Sequence, residues 1–201
     1  MNSDILITSR LFQIAAGALP LIFFASRKIH LSLKVLLIAS FVSSILLFIT
    51  GRFHINNLLI FNAYHVFSIL SLSSLYYNIT KNKLLKRIDF LLALITSFIL
   101  IFELTTTDFL EYSIVIEKIC FVTFAIVYFL DFFIDNSKKK SEILILVNTA
   151  LFIYYSFSFL FNIYIDDLMK NNLWFIHNFI EGSSKLLIAY AFWKQPKTAH
   201  Y

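Results

Sequence analysis

Apolar residues occupy seven long stretches of this chain, separated by short polar connections. The stretches cover roughly residues 5–25, 31–50, 55–77, 88–107, 111–134, 142–164 and 172–193. Each is close to the ~20 residues that an α-helix needs to cross a hydrocarbon core of about 30 Å. A span in lipid must be helical, because an open strand leaves backbone donors and acceptors without partners. The pattern predicts an all-α, polytopic integral membrane protein, with residues 1–201 forming a single seven-helix bundle.

The overall composition agrees with a membrane location. Of the 201 residues, 59% are hydrophobic and 14% are charged, and the mean hydropathy is +0.79. Soluble domains are only about 45–50% apolar. We therefore expect a multi-pass protein of a cell membrane, specifically a bacterial inner membrane, with the lipid bilayer as its surroundings.

Lysine and arginine are distributed unevenly between the two ends of the predicted helices. If the N-terminus lies outside, twelve of them fall in inner connections and four at outer ends, the four being Arg10, Arg52, Lys118 and Lys170. Positively charged residues are enriched in cytoplasmic loops. The asymmetry predicts an N-terminus outside and a C-terminus in the cytoplasm. It also explains the formal net charge of +5, so we expect no nucleic-acid partner.

The seventh stretch carries His177, Glu181 and Lys185 on one helical face between two tryptophans, Trp174 and Trp193. The tryptophans are 19 residues apart, or about 28 Å along a helix, which suits the two interfaces of a bilayer. Lys185 then lies near the middle of the membrane, where an ionised group needs a local partner. Glu181, one turn earlier, is the predicted partner. A structural ion pair and a functional site both remain open as interpretations.

Other polar residues are expected at similar depths in the outer half of the bundle. The predicted ligand-binding set is Asn62, His65, Glu117, Tyr155, Asn162, His177, Glu181 and Lys185. An alternative for Tyr155 and Asn162, which share a seven-residue interval with Asn148, is hydrogen bonding between helices. We expect a cavity that opens to the outer side, with His65, His177 and Glu181 as the principal contacts of a small polar ligand or ion.

Two cofactors provide alternative functions. His65, His177 and Glu181 are residue types that bind zinc, and seven helices with zinc resemble the topology of membrane hydrolases of the ceramidase and adiponectin-receptor group. This chain has HxxxE in its seventh stretch where those proteins have a paired-histidine motif. Glu181 and Lys185 also resemble the DxxxK arrangement of microbial rhodopsins. That resemblance implies retinal on Lys185 with Glu181 as counterion, although the third stretch has Asn62 and His65 but no carboxylate.

Transport and sensing are the remaining alternatives. Residues 56–68 and 171–184 are similar to each other, and a repeat of three helices on each side of a fourth is similar to small facilitators for sugars or nicotinamide riboside. A chain without a soluble domain can also signal by contacting a membrane partner, such as a sensor kinase or a transporter subunit. We favour a ligand-sensing or accessory subunit over a transporter, and both over an enzyme.

Overall fold

Seven long α-helices run through the part of the chain that the structure, a computed structural model, describes. The described residues are 3–24, 29–53, 58–106, 111–134, 142–164, 170–171 and 173–195. The helices are α1 (Ser3–Ile22), α2 (Leu31–Arg52), α3 (Leu58–Ile79), α4 (Lys83–Thr106), α5 (Glu111–Ile134), α6 (Glu142–Ile163) and α7 (Trp174–Lys194). Each coincides with one predicted apolar stretch, so the all-helical prediction is confirmed for these residues.

The start of α4 differs from the sequence-based prediction by five residues. The apolar stretch was expected from residue 88, whereas the helix begins at Lys83. The side-chain oxygen of Asn82 accepts hydrogen bonds from the backbone N–H groups of Leu84 at 2.9 Å and Leu85 at 3.3 Å. This cap stabilises a polar first turn. Hydropathy locates the apolar part of a helix, whereas a side-chain cap determines where it begins.

Four helices within the described residues are long and apolar enough to cross a membrane, namely α1, α2, α3 and α6. The other three carry charged side chains that are buried between helices. These are Asp89 and Glu103 in α4, Glu117, Lys118 and Asp131 in α5, and Glu181 and Lys185 in α7. Charged residues lower the mean hydropathy of a helix even where its neighbours shield them.

The helices pack as a ring in chain order. Each contacts the next, α7 contacts α1 and so closes the ring, and a further contact between α3 and α5 places α4 outside the others. Away from the starts of α1, α3, α5 and α7, the interior is filled by fully buried aromatic side chains, which include Tyr76, Phe121, Phe124, Tyr128 and Phe192. This half of the ring is a packed core.

Hydrogen bonds between helices accompany this packing. The Tyr76 hydroxyl donates to Asn148 Oδ1 at 2.7 Å, and Asn148 Nδ2 donates to the Ala125 carbonyl at 3.1 Å. Asn148 therefore joins α3, α5 and α6, and it satisfies polar groups that would be costly to leave unpaired. This arrangement agrees with the interhelical role that the sequence left open for Asn148.

The contact between α1 and α7 is unusually close. A Cβ atom added to Gly182 would lie 2.4 Å from Cε1 of Phe12, so only glycine fits there without a shift of the ring. Nearby, Asn178 Nδ2 donates to Ser9 Oγ at 3.0 Å. These contacts position the first half of α7 against α1, and the candidate site lies along this half.

Candidate functional site

A cavity of about 460 Å³ lies in the half of the ring where α1, α3, α5 and α7 begin and where α2 and α6 end. We call it the main cavity. Most of its wall area is apolar, although more of its lining side chains are polar than apolar. The polar and tryptophan side chains are Arg10, Gln13, Ser43, Ser44, Tyr64, His65, Lys118, Tyr154, Ser158, Asn162, Trp174, His177, Asn178 and Glu181. A cavity of this size and character is typical of small-molecule sites.

Glu181 and Lys185 form an ion pair deep in the ring. Lys185 Nζ lies 2.6 Å from Glu181 Oε1, which confirms the pairing expected from their spacing. Glu181 lines the main cavity and also a second cavity of about 30 Å³, which Tyr155 and Lys185 border. Ser44 Oγ lies 3.5 Å from Lys185 Nζ. Glu181, Tyr64 and Tyr154 line both cavities and therefore lie between them.

His65, Glu117 and Lys118 form a second buried group of charged and polar side chains. His65 Nδ1 contacts Glu117 Oε2, and Lys118 Nζ lies 3.5 Å from Glu117 Oε1. The exposed fractions are 3% for His65, 0% for Glu117 and 2% for Lys118. His65 Nε2 is buried and has no hydrogen-bond partner among the described residues. Nδ1 is engaged by Glu117, so Nε2 is the ring nitrogen left without a partner, on a residue that lines the main cavity.

His177 lies within a group of aromatic rings on the cavity wall. Trp174 stacks on its imidazole with ring centroids 5.0 Å apart and an interplanar angle of 18°. Phe161 and Tyr154 approach its edges at centroid distances of 5.5 Å and 6.0 Å. Stacking of this kind fixes the plane of the ring. The polar edge of His177 is thus held in one orientation beside the cavity.

The structure distributes the eight predicted site residues over four positions. Four line the main cavity, namely His65, Asn162, His177 and Glu181. Glu117 lies behind His65, while Tyr155 and Lys185 border the small cavity. Asn62 is half-buried on α3 and is not among the lining residues of either cavity. Four of the eight predicted residues therefore lie on one cavity wall, and the sequence did not distinguish them from the side chains behind it.

Sequence reasoning missed several lining residues, most importantly Arg10 and Lys118. Both were counted as charges at outer helix ends, and neither was included in the predicted ligand-binding set. A signal was present for Arg10, because it lies inside the first apolar stretch and not in a connection. Lys118 directly follows Glu117, and two adjacent charged residues within an apolar stretch also point to a buried polar group. Gln13, Tyr64 and Tyr154 had no comparable signal.

The geometry gives little support to a zinc site or to retinal bound on Lys185. Among the described residues, no three of His, Cys, Asp and Glu lie close enough together to hold a metal ion. His65 contacts Glu117, and Glu181 forms an ion pair with Lys185. These two candidate zinc ligands therefore already have protein partners. Lys185 borders a cavity of about 30 Å³, which has room for about one water molecule. Retinal on Lys185 would require the surrounding helices to separate.

No family model, curated protein or solved structure matches this chain. Even a matched fold would leave the function open, because one fold can carry many activities. The chemistry of the main cavity is therefore the basis for a functional proposal. That chemistry consists of a histidine nitrogen, two cationic side chains, an ion pair and a largely apolar wall.

Proposed function

We propose that this chain spans a cell membrane seven times, with its N-terminus outside, and binds a small ligand from the outer side in the main cavity. The distribution of lysine and arginine supports this orientation. The cavity lies where α1, α3, α5 and α7 begin, which is the outer half if the N-terminus is outside. The bacterial inner membrane remains the proposed location.

The observation that carries the proposal is that His65 lines a cavity of about 460 Å³ and that its buried Nε2 has no hydrogen-bond partner among the described residues. Leaving a buried polar group without a partner costs about 1–3 kcal/mol. A ligand that forms a hydrogen bond with Nε2 would recover this free energy. Glu117 contacts the other ring nitrogen and so holds the imidazole in place for that contact.

Packing in the other half of the ring favours binding and sensing over transport. The side chains of Tyr76, Phe124 and Tyr128 are fully buried there, and a solute could pass only if they separated. A ligand held at one end can still change how the helices pack against a neighbour. We therefore favour a ligand-sensing or accessory subunit that acts through a membrane partner, such as a sensor kinase or a transporter subunit.

Cysteine accessibility tests the location and orientation of the cavity. In a Cys120→Ala background, Ser158→Cys would be treated with a membrane-impermeant thiosulfonate reagent in right-side-out vesicles. Ser158 lines the main cavity, so we expect modification from the outside. The matched control, Ser71→Cys, is similarly buried but lines neither the main nor the small cavity, so it should stay unmodified. Modification of Ser158→Cys only in inverted vesicles would overturn the proposed orientation.

The partner is tested by native mass spectrometry of the protein extracted with its surrounding bilayer in polymer nanodiscs. The chain itself has a mass of 23.5 kDa. We expect an assembly that contains this chain and a second, different membrane protein. Recovery of the 23.5 kDa chain alone, or only with copies of itself, would contradict an accessory role.

A further inference from the structure

The main cavity carries an excess of positive charge among the described residues. Arg10 and Lys118 both line it, and Glu181 is the only described residue that places a carboxylate on its wall. Lys185 neutralises Glu181 at 2.6 Å. Glu117 lies behind the wall and contacts both His65 and Lys118. With the histidines neutral, three cations face two carboxylates, so the group has a net charge of +1.

Arg10 is the cation of this group that has no counterion among the described residues. It is half-buried and forms no ion pair with any described residue. Its Nη1 atom lies 3.3 Å from the position that a Cβ on Gly51 would take, so the guanidinium approaches the backbone near the end of α2. A guanidinium does not lose its proton in proteins. The charge on Arg10 therefore persists, and burial beside an apolar cavity strengthens its attraction for an anion.

Lys118 brings a second cation to the cavity from a different part of the ring. Its ammonium group lies 5.1 Å from the centre of the Tyr155 ring, and its carboxylate neighbour Glu117 is shared with His65. Arg10 is on α1 and Lys118 on α5, and α1 and α5 are not packed against each other. The two cations thus approach the same cavity from separated helices.

The rest of the wall is suited to an apolar body. It includes Leu47, Phe48, Phe61 and Ile114, together with the stacked Trp174. A strongly hydrated inorganic anion would lose its hydration against such a wall without adequate compensation. An anion that has an apolar part would bury that part against these side chains and gain free energy from doing so.

We propose that the ligand is an acidic amphiphile: one carboxylate, or another group with a single negative charge, on an apolar body. The acid group lies between the Arg10 guanidinium and the Lys118 ammonium, and the apolar body contacts the aromatic wall. One negative charge balances the excess of one positive charge. This inference rests on the proposed function, because it specifies the ligand of the same cavity.

The charge of the cavity is tested with the Ser158→Cys variant in the Cys120→Ala background. Its rates of modification by an anionic and a cationic thiosulfonate reagent are each divided by the rate with a free thiol. We expect the normalised rate with the anionic reagent to be at least about five times the normalised rate with the cationic reagent. Arg10→Gln should bring this ratio close to one. The matched control is Arg52→Gln, which removes an exposed arginine at the end of α2 and should leave the ratio unchanged.

Protection against this modification tests the ligand class. The probes are 4-phenylbutyrate, 4-phenylbutanol and 4-phenylbutylammonium, which share an apolar body and differ in charge. We expect 4-phenylbutyrate to protect Ser158→Cys best. Adding Arg10→Gln or Lys118→Met should raise the 4-phenylbutyrate concentration needed for protection about tenfold, which corresponds to the loss of one charged contact. Oleate tests whether the ligand enters from the bilayer or from the aqueous phase. If oleate protects and 4-phenylbutyrate does not, the acidic amphiphile enters from the bilayer.

The outcomes separate this inference from the function on which it rests. If the Ser158→Cys variant is not modified from the outer side, the accessible cavity itself is wrong. If it is modified, but all three phenyl probes protect equally and the two reagents react alike, the cavity stands and the acidic ligand is refuted. Stronger protection by 4-phenylbutylammonium than by 4-phenylbutyrate would also refute it.

Discussion

The ion pair between Glu181 and Lys185 should make the two residues depend on each other for stability. The two side chains are 7% and 5% exposed as residues, and their charged atoms are 2.6 Å apart. At an effective dielectric constant of about 20, unit charges at that distance attract by about 6 kcal/mol. Desolvation of two ions costs several kcal/mol each and offsets this attraction. The pair therefore contributes little to the net free energy of unfolding, whereas either charge buried without the other would be strongly destabilising.

Glu181→Gln, Lys185→Met and the double variant would measure this dependence. Each single substitution leaves one buried charge without its counterion and should lower the free energy of unfolding by about 3–5 kcal/mol. The double variant removes both charges and should lose less than either single variant. The coupling free energy from the cycle is thus expected to be at least about 3 kcal/mol. The assay follows the loss of helical circular dichroism while the fraction of denaturing detergent in mixed micelles is raised.

A second ion pair, which joins α7 to α6, provides the control. Lys194 Nζ lies 3.4 Å from Glu142 Oε2, but the side chains are 49% and 80% exposed. Solvent screens such a pair, so its coupling free energy should be below about 1 kcal/mol. If the losses for Glu181→Gln and Lys185→Met add within about 0.5 kcal/mol, as independent sites do, the argument from burial and proximity is refuted.

Two further substitutions test the packing around the site. Gly182→Ala places a Cβ 2.4 Å from the Phe12 ring and should lower the free energy of unfolding by about 1–3 kcal/mol in the same assay. Phe12→Leu should recover part of this loss. An unchanged stability of Gly182→Ala would mean that α1 can shift without cost. Tyr76→Phe removes the donor to Asn148 Oδ1 and should cost about 1–3 kcal/mol. Tyr77→Phe, at an exposed position, should cost much less, and equal losses would contradict the assigned role of the buried hydroxyl.

Several features of this protein could be predicted from local sequence alone. The seven helices follow from the lengths of the apolar stretches, because the hydrophobic requirement acts on each stretch separately. The pairing of Glu181 with Lys185 follows from helix geometry, because residues four apart lie on one face. The capped start of α4 was missed, since Asn82 acts through a hydrogen bond that hydropathy does not measure.

The regular interval of Asn148, Tyr155 and Asn162 illustrates the limit of periodicity. The three residues share one face of α6, as predicted, yet each has a different environment. Asn148 bonds to Tyr76, Tyr155 lies 3.2 Å from Ser68 Oγ through its hydroxyl, and Asn162 lines the main cavity. A period specifies the direction of a side chain, whereas its partner depends on which neighbouring helix is present at that depth.

The sequence by itself determined the helices, their apolar character and the short-range ion pair on α7. Only the tertiary structure decided that Glu117 contacts His65, 52 residues away, and that Arg10 and Lys118 border one cavity. The physical reason is the range of the interactions. Helix formation and i,i+4 pairing depend on neighbours along the chain, whereas the charge of a cavity depends on the order and rotation of helices around it, which packing between distant segments determines.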